Sequence, residues 1–90
     1  MVPDIDYDDY VLISSPLSGP FKQDGITVDI EIYRGEDEPG WLLEVVDQAG
    51  ASYVWDDTFE TDQMAKEEFL RSIKQGGMKQ YNPHYRKKMH

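Results

Sequence analysis

Residues 26–33 alternate without a break. Ile26, Val28, Ile30 and Ile32 fall on one side, and Thr27, Asp29, Glu31 and Tyr33 on the other. A period of two places successive side chains on opposite faces of a pleated strand, and β-branched residues suit that conformation. One face of the sheet that forms must therefore be buried and the other wet. A half-buried strand is not stable alone, so the remaining chain has to supply pairing partners and a cover.

The partners come at short intervals. Trp41 to Asp47 reads as a second strand, with Trp41, Leu43 and Val45 on one face and Leu42, Glu44 and Val46 on the other. Apolar residues on both faces mark it as central. Ser52 to Asp56 reads as a third, with Tyr53 and Trp55 on one face and Val54 on the other. The connections Gly35-Glu36-Asp37-Glu38-Pro39-Gly40 and Asp47-Gln48-Ala49-Gly50 are short and polar, which predicts an antiparallel meander. Upstream, Tyr10 to Ser14 suits a further short strand. The stretch Ser15-Pro16-Leu17-Ser18-Gly19-Pro20 reads as a break, Phe21 as an anchor for that loop, and Asp24-Gly25 as a turn.

The cover is a helix opened by Thr58 or Thr61, of which Thr61 is the better N-cap, with Asp62 in its first turn at the positive end of the helix dipole. Ala65, Phe69 and Ile73 recur every four residues and, with Leu70 and Met64, form one apolar stripe. Gly76-Gly77 ends the helix. The expected architecture is α+β: a small antiparallel sheet of three to four strands with one C-terminal helix packed on one face. The expected organisation is an acidic arm over residues 1–9, one domain over 10–78 and a basic tail over 79–90.

The stretch from Ile30 to Phe69 resembles small bacterial proteins that join a strand meander to one helix. The resemblance is carried by Ile30-Glu31-Ile32-Tyr33-Arg34-Gly35, Trp41 to Asp47, Val54-Trp55-Asp56 and Phe59-Glu60-Thr61-Asp62. It implies the fold and a bacterial origin, and no reaction, ligand or site residue.

Charge is distributed unevenly. Residues 1–62 hold 16 acids against 2 bases, a net of −14, while residues 63–90 hold 2 acids against 7 bases, a net of +5. With 39% hydrophobic and 12% aromatic residues, the chain nevertheless carries enough apolar material to fold. There is no cysteine, which excludes disulfides, zinc–thiolate sites and thiol nucleophiles and points to a reducing cytoplasm. No run approaches the roughly 20 apolar residues of a membrane span, and the start is acidic, unlike a secretion signal. No membrane association is expected.

The candidate sites are few. Asp56-Asp57-Thr58-Phe59-Glu60-Thr61-Asp62 is a dense acidic run of the kind that binds hard cations, but it lacks the glycine and terminal glutamate spacing of a calcium loop. A solvated loop with a capping acid is the plainer reading. His84 and His90 are the only histidines and have no acidic helper beside them. No serine sits in a nucleophile elbow, and there is no glycine-rich phosphate loop. No cofactor, metal or catalytic residue is expected.

Two surfaces remain. Asp29, Glu31 and Glu44 share the wet face of the meander, and Trp55, with Trp41 and Tyr53, offers an aromatic anchor if it lies on that face. The bland reading is an ordinary solvated face with aromatics in the core. Tyr85, Arg86, Lys87 and Lys88 combine bases with an aromatic ring, a mixture suited to single-stranded nucleic acid. The strongly acidic remainder opposes that binding, or else mimics nucleic acid itself. The expected function is a non-enzymatic protein–protein interaction module, with a nucleic-acid-linked role as the alternative. Unpaired edges leave a monomer or an edge-strand homodimer open.

Overall fold

The alternating segment forms β3 (Ile26–Gly35), the longest strand of an antiparallel sheet. This computed structural model describes residues 11–82. One edge of β3 pairs with β4 (Leu42–Val46), which pairs in turn with β5 (Ser52–Val54). The opposite edge is shared: β2 (Gly19–Gln23) covers residues 26–30 and β1 (Leu12–Ser14) covers residues 33–35. The sheet thus contains five strands but is only four strands wide at any point. Helix α1 (Asp62–Gly76) closes its inner face.

The β2 strand replaces the loop expected around Phe21. Asp24 and Gly25 both have positive φ, 55° and 78°, which makes the two-residue type I′ turn that folds a hairpin tightly. That turn places Phe21 opposite Val28, facing the core. Pro20 is tolerated because β2 is an edge strand and needs no donor on its outer side. Between β1 and β2 the chain kinks, and side chains take over the ladder. The Ser18 hydroxyl accepts from the Ile32 amide at 2.9 Å and reaches the Ile32 carbonyl at 3.2 Å. The buried Ser15 hydroxyl accepts from the Leu17 amide and donates to Asp62 at 2.7 Å, tying the kink to the start of α1.

Thr61 caps α1 as its sequence predicts, accepting from the Met64 amide at 3.1 Å. Ala65, Phe69 and Ile73 are buried against Val28, Ile30, Ile32, Leu43 and Val45. Leu70 and Met64 do not join them, being 39% and 45% exposed. Each lies next to a stripe residue, about 100° round the helix, and the thin core reaches only one row of side chains. Gly77, at φ 75°, ends the helix and donates to the Ile73 carbonyl.

Residues 79–81, expected as the start of the tail, belong to the fold. Met78–Tyr81 forms one turn of 3₁₀ helix that carries Met78 and Tyr81 back into the core, leaving Tyr81 2% exposed. Its ring meets Tyr53 edge-on at 5.0 Å and stacks against Phe69 at 5.9 Å, while Phe21 meets Phe69 edge-on at 5.1 Å. The arm over 1–9 and the tail from residue 83 onward lie outside the described residues.

Two polar residues shape the loops. Arg34 donates to the carbonyls of Gly35, Glu36 and Glu38 and lies 5.1 Å from the centre of the Trp41 ring, bracing the β3–β4 connection. Asp47, only 5% exposed, accepts from the amides of Ala49 and Ala51 and from the Tyr53 hydroxyl at 2.9–3.0 Å. Hydrogen bonds to a charged group contribute about 1.5–3 kcal/mol. Asp47→Ala is accordingly expected to destabilise the domain by about that amount, measured as a lower urea midpoint with an unchanged slope. A midpoint within error of wild type would show that the β4–β5 turn does not depend on this carboxylate.

Candidate functional site

Strand register builds the outer face of the sheet. Glu31 stands opposite Glu44, which stands opposite Val54. Asp29 stands opposite Val46, Val46 opposite Ser52, and Tyr33 opposite Leu42. Directly opposed residues of an antiparallel pair share a face. Asp29, Glu31 and Glu44 therefore come together as the sequence predicts, on the face away from α1 and interleaved with Leu42, Val46 and Val54. Val54 is 55% exposed, Asp29 and Glu31 are exposed, and Leu42, Glu44 and Val46 are half-buried.

The three acids are not equivalent. Glu44 is held in place: Tyr33 donates to one carboxylate oxygen at 3.1 Å and Ser52 to the other at 2.7 Å. Asp29 and Glu31 accept no hydrogen bond within the described fold and are exposed. Their lone pairs remain available to a partner. Sequence reasoning does not single out the donors Tyr33 and Ser52, because only the register of β3, β4 and β5 shows that they flank Glu44.

The Glu31–Glu44 opposition is locally unfavourable, since like charges directly across a strand pair repel. Glu31→Thr is expected to raise stability at low salt by up to about 1 kcal/mol, with the gain shrinking as salt is added. Thermal unfolding at two salt concentrations measures this, and a lower melting temperature for the variant would show that no strain exists.

Trp55 lies elsewhere. Its position in β5's alternation puts it with Tyr53 on the helix side, packed against the core, and its indole N–H donates to Glu68 of α1 at 3.2 Å. Glu68 also forms a surface ion pair with Arg71 at 2.8 Å. The aromatic anchor is thus separated from the acids by the thickness of the sheet. Trp41 and Tyr53 are likewise partly buried against the core.

Other possibilities narrow in the same way. A cleft of about 440 Å³ lies beside β5, lined by Tyr53, Val54, Trp55, Asp56, Gln80 and Tyr81. The Gln80 amide already donates to the Ser72 and Gly77 carbonyls, and the Tyr81 and Ser72 hydroxyls share a hydrogen bond. The Gln80 and Tyr81 polar groups at this cleft are therefore committed to the fold, while the Asp56 carboxylate at its edge is exposed. The acidic run 56–62 spreads apart: Asp56, Asp57 and Glu60 are exposed, whereas Asp62 is engaged by Ser15. Among the described residues no three His, Asp or Glu side chains converge as a metal site. Burial raises the Tyr81 phenol above its ordinary pKa, the hydrogen bond it shares with Ser72 pulls it down, and the nearby Glu68 carboxylate adds to the rise.

Tyr85, Arg86, Lys87 and Lys88 lie outside the described residues. Within those described, no helix is long and apolar enough to cross a membrane. No family model matches the chain, and no significant similarity to a curated protein or to a solved structure was found.

Proposed function

We propose that this chain is a non-enzymatic interaction module that docks a basic protein surface on the outer face of its sheet. The observation that carries the reading is that outer face, where the Asp29 and Glu31 carboxylates have no partner among the described residues and alternate with Val46, Val54 and Leu42. Interfaces combine apolar contact with complementary charge in this manner. Serine chemistry within the described fold supports the non-enzymatic part. Ser15, Ser18, Ser52 and Ser72 are bonded to Asp62, Ile32, Glu44 and Phe69 respectively. A cysteine-free chain suits the reducing cytoplasm, where we expect it to act.

Affinity capture from lysate tests this with two baits, the wild-type chain and Asp29→Lys/Glu31→Lys. The expected result is a stoichiometric protein partner that survives nuclease treatment, is retained by wild type and is lost by the charge-reversed bait. Equal capture by both baits would remove the outer face from the reading. Loss of the partner on nuclease treatment would turn attention to nucleic acid.

A further inference from the structure

The two edges of the sheet differ. The edge made by β1 and β2 is broken at the kink between them and carries Pro20 and an exposed Lys22. Proline and lysine are two of the devices that keep an edge from pairing. Among the described residues β5 is paired on one side only, by β4, and it holds neither. The ladder fixes which groups face outward. Tyr53 stands opposite Val45, and the Trp55 amide donates to the Leu43 carbonyl at 3.1 Å. Backbone groups alternate in direction along a strand. Tyr53 and Trp55 therefore address β4, while Ser52 and Val54 turn their N–H and C=O groups to the open side. Those four backbone groups have no hydrogen-bond partner among the described residues.

The cleft of about 440 Å³ lies beside the same strand, with Tyr53, Trp55 and Tyr81 as aromatic walls and the exposed Asp56 at its margin. Among the described residues no base lines it. Aromatic faces next to a carboxylate suit a guanidinium or ammonium group, which both attract. Residues 11–82 hold 14 acids against 6 bases, a net of −8. That field draws in a cationic segment and opposes a second copy of the same chain.

We propose that the β5 edge takes up an extended cationic segment of a partner protein as an added antiparallel strand, with an arginine or lysine seated in the cleft. In strand addition the main-chain hydrogen bonds give affinity and alternate side chains give specificity. The partner residue opposite Val54 exchanges two hydrogen bonds with it, and its side chain lies on the outer face against the exposed Val54. The residue before it stands opposite Trp55, on the cleft side, near Asp56. The site thus reads a basic residue followed by an apolar one. It is separate from the surface of Asp29 and Glu31, which lie on β3, two strands or about 10 Å in from this edge.

A capped heptapeptide, acetyl-Thr-Thr-Arg-Val-Thr-Val-Thr-amide, titrated into the isotope-labelled 90-residue chain tests this at about 0.15 M salt. The expected amide shifts centre on Ser52, Val54 and Asp56 and on the Trp55 indole, and the Val54 amide gains protection from hydrogen exchange. Glutamate in place of the peptide's arginine should weaken binding by about tenfold or more. N-methylation of the valine after that arginine removes a main-chain donor and should abolish the protection at Val54. Val54→Pro should do the same from the protein side, since the amide it removes lies outside the β4 ladder. The methylated peptide acts on the unaltered chain, so the result stands whether or not that variant folds. Binding should survive in Asp29→Lys/Glu31→Lys. Its loss there, with shifts confined to Asp29, Glu31 and Glu44, would overturn the edge site and leave the outer face standing as the docking surface. No binding, or equal binding of the arginine and glutamate peptides, would also overturn it. So would Val54 protection that rises with chain concentration in the absence of peptide, which would give the edge to a second copy.

Discussion

Phe69→Ala is expected to remove about 3–5 kcal/mol of stability. Phe69 is fully buried, and its ring contacts Phe21 of β2 and Tyr81 of the 3₁₀ turn. It is the one aromatic side chain of α1, so its loss leaves a cavity between the helix, an edge strand and the C-terminal turn. Small domains have only about 5–15 kcal/mol in total, and a 90-residue chain buries a modest fraction of its surface. Near the lower end of that range the alanine variant would be largely unfolded. Phe69→Leu retains the apolar volume and gives up the two ring contacts, at about 0.5–1.5 kcal/mol each. Urea unfolding of both variants measures the effect. An alanine variant as stable as the leucine variant would mean that the cavity carries little weight.

Tyr81→Ala should be nearly as costly, about 3–5 kcal/mol, because a large buried aromatic is removed. The phenol is 2% exposed, packs on Tyr53 and Phe69 and shares a hydrogen bond with Ser72. Phe69 and Tyr81 touch, so the double alanine variant should lose less than the sum of the two single losses. Tyr81 also gives the domain a sensitivity to alkali. Burial disfavours the phenolate and raises the folded pKa, with Glu68 acting in the same sense and Ser72 against it. A raised folded pKa means that the neutral phenol's contribution is complete below the unfolded tyrosine value, about 10, and is lost as pH rises through the folded value. Tyr81→Phe should therefore show a shallower fall in stability above about pH 10 than wild type. Identical alkaline profiles for the two would place the transition on other tyrosines, of which the chain has six in all.

Much of the candidate face is legible in the sequence. The alternation of residues 26–33 separates Asp29 and Glu31 from the core, and the short turn at Asp47–Gly50 pairs the strands that bring Glu44 into the same sheet. What pattern does not supply is the state of each acid. Glu44 is bonded by Tyr33 and Ser52 and Glu31 is not, and that difference depends on register between strands distant in sequence. The side taken by Trp55 is open for a related reason. With one residue on the opposite face, β5 is too short to declare which of its faces is apolar, and the Glu68 carboxylate on α1 accepts a hydrogen bond from its indole N–H.

Features with a local physical cause are written in the chain: β3 through its period of two, α1 through its Thr61 cap, its 65–69–73 stripe and Gly77, and the turn at Asp24-Gly25 through the ease with which those residues take positive φ. Other features depend on contacts between distant segments. The β2 strand contains glycine and proline and has no pattern of its own, yet the open edge of β3 recruits it and Ser18 mends the ladder at the kink. Leu70 and Met64 are as apolar as their neighbours, but the core is too thin to reach them. Residues 78–81 have no apolar period, yet Met78 and Tyr81 fill the gap between α1 and β5 because aromatic area left in water there would cost more than ordering one turn of chain. Local propensity acts along a few residues, whereas burial depends on which distant surfaces remain to be covered.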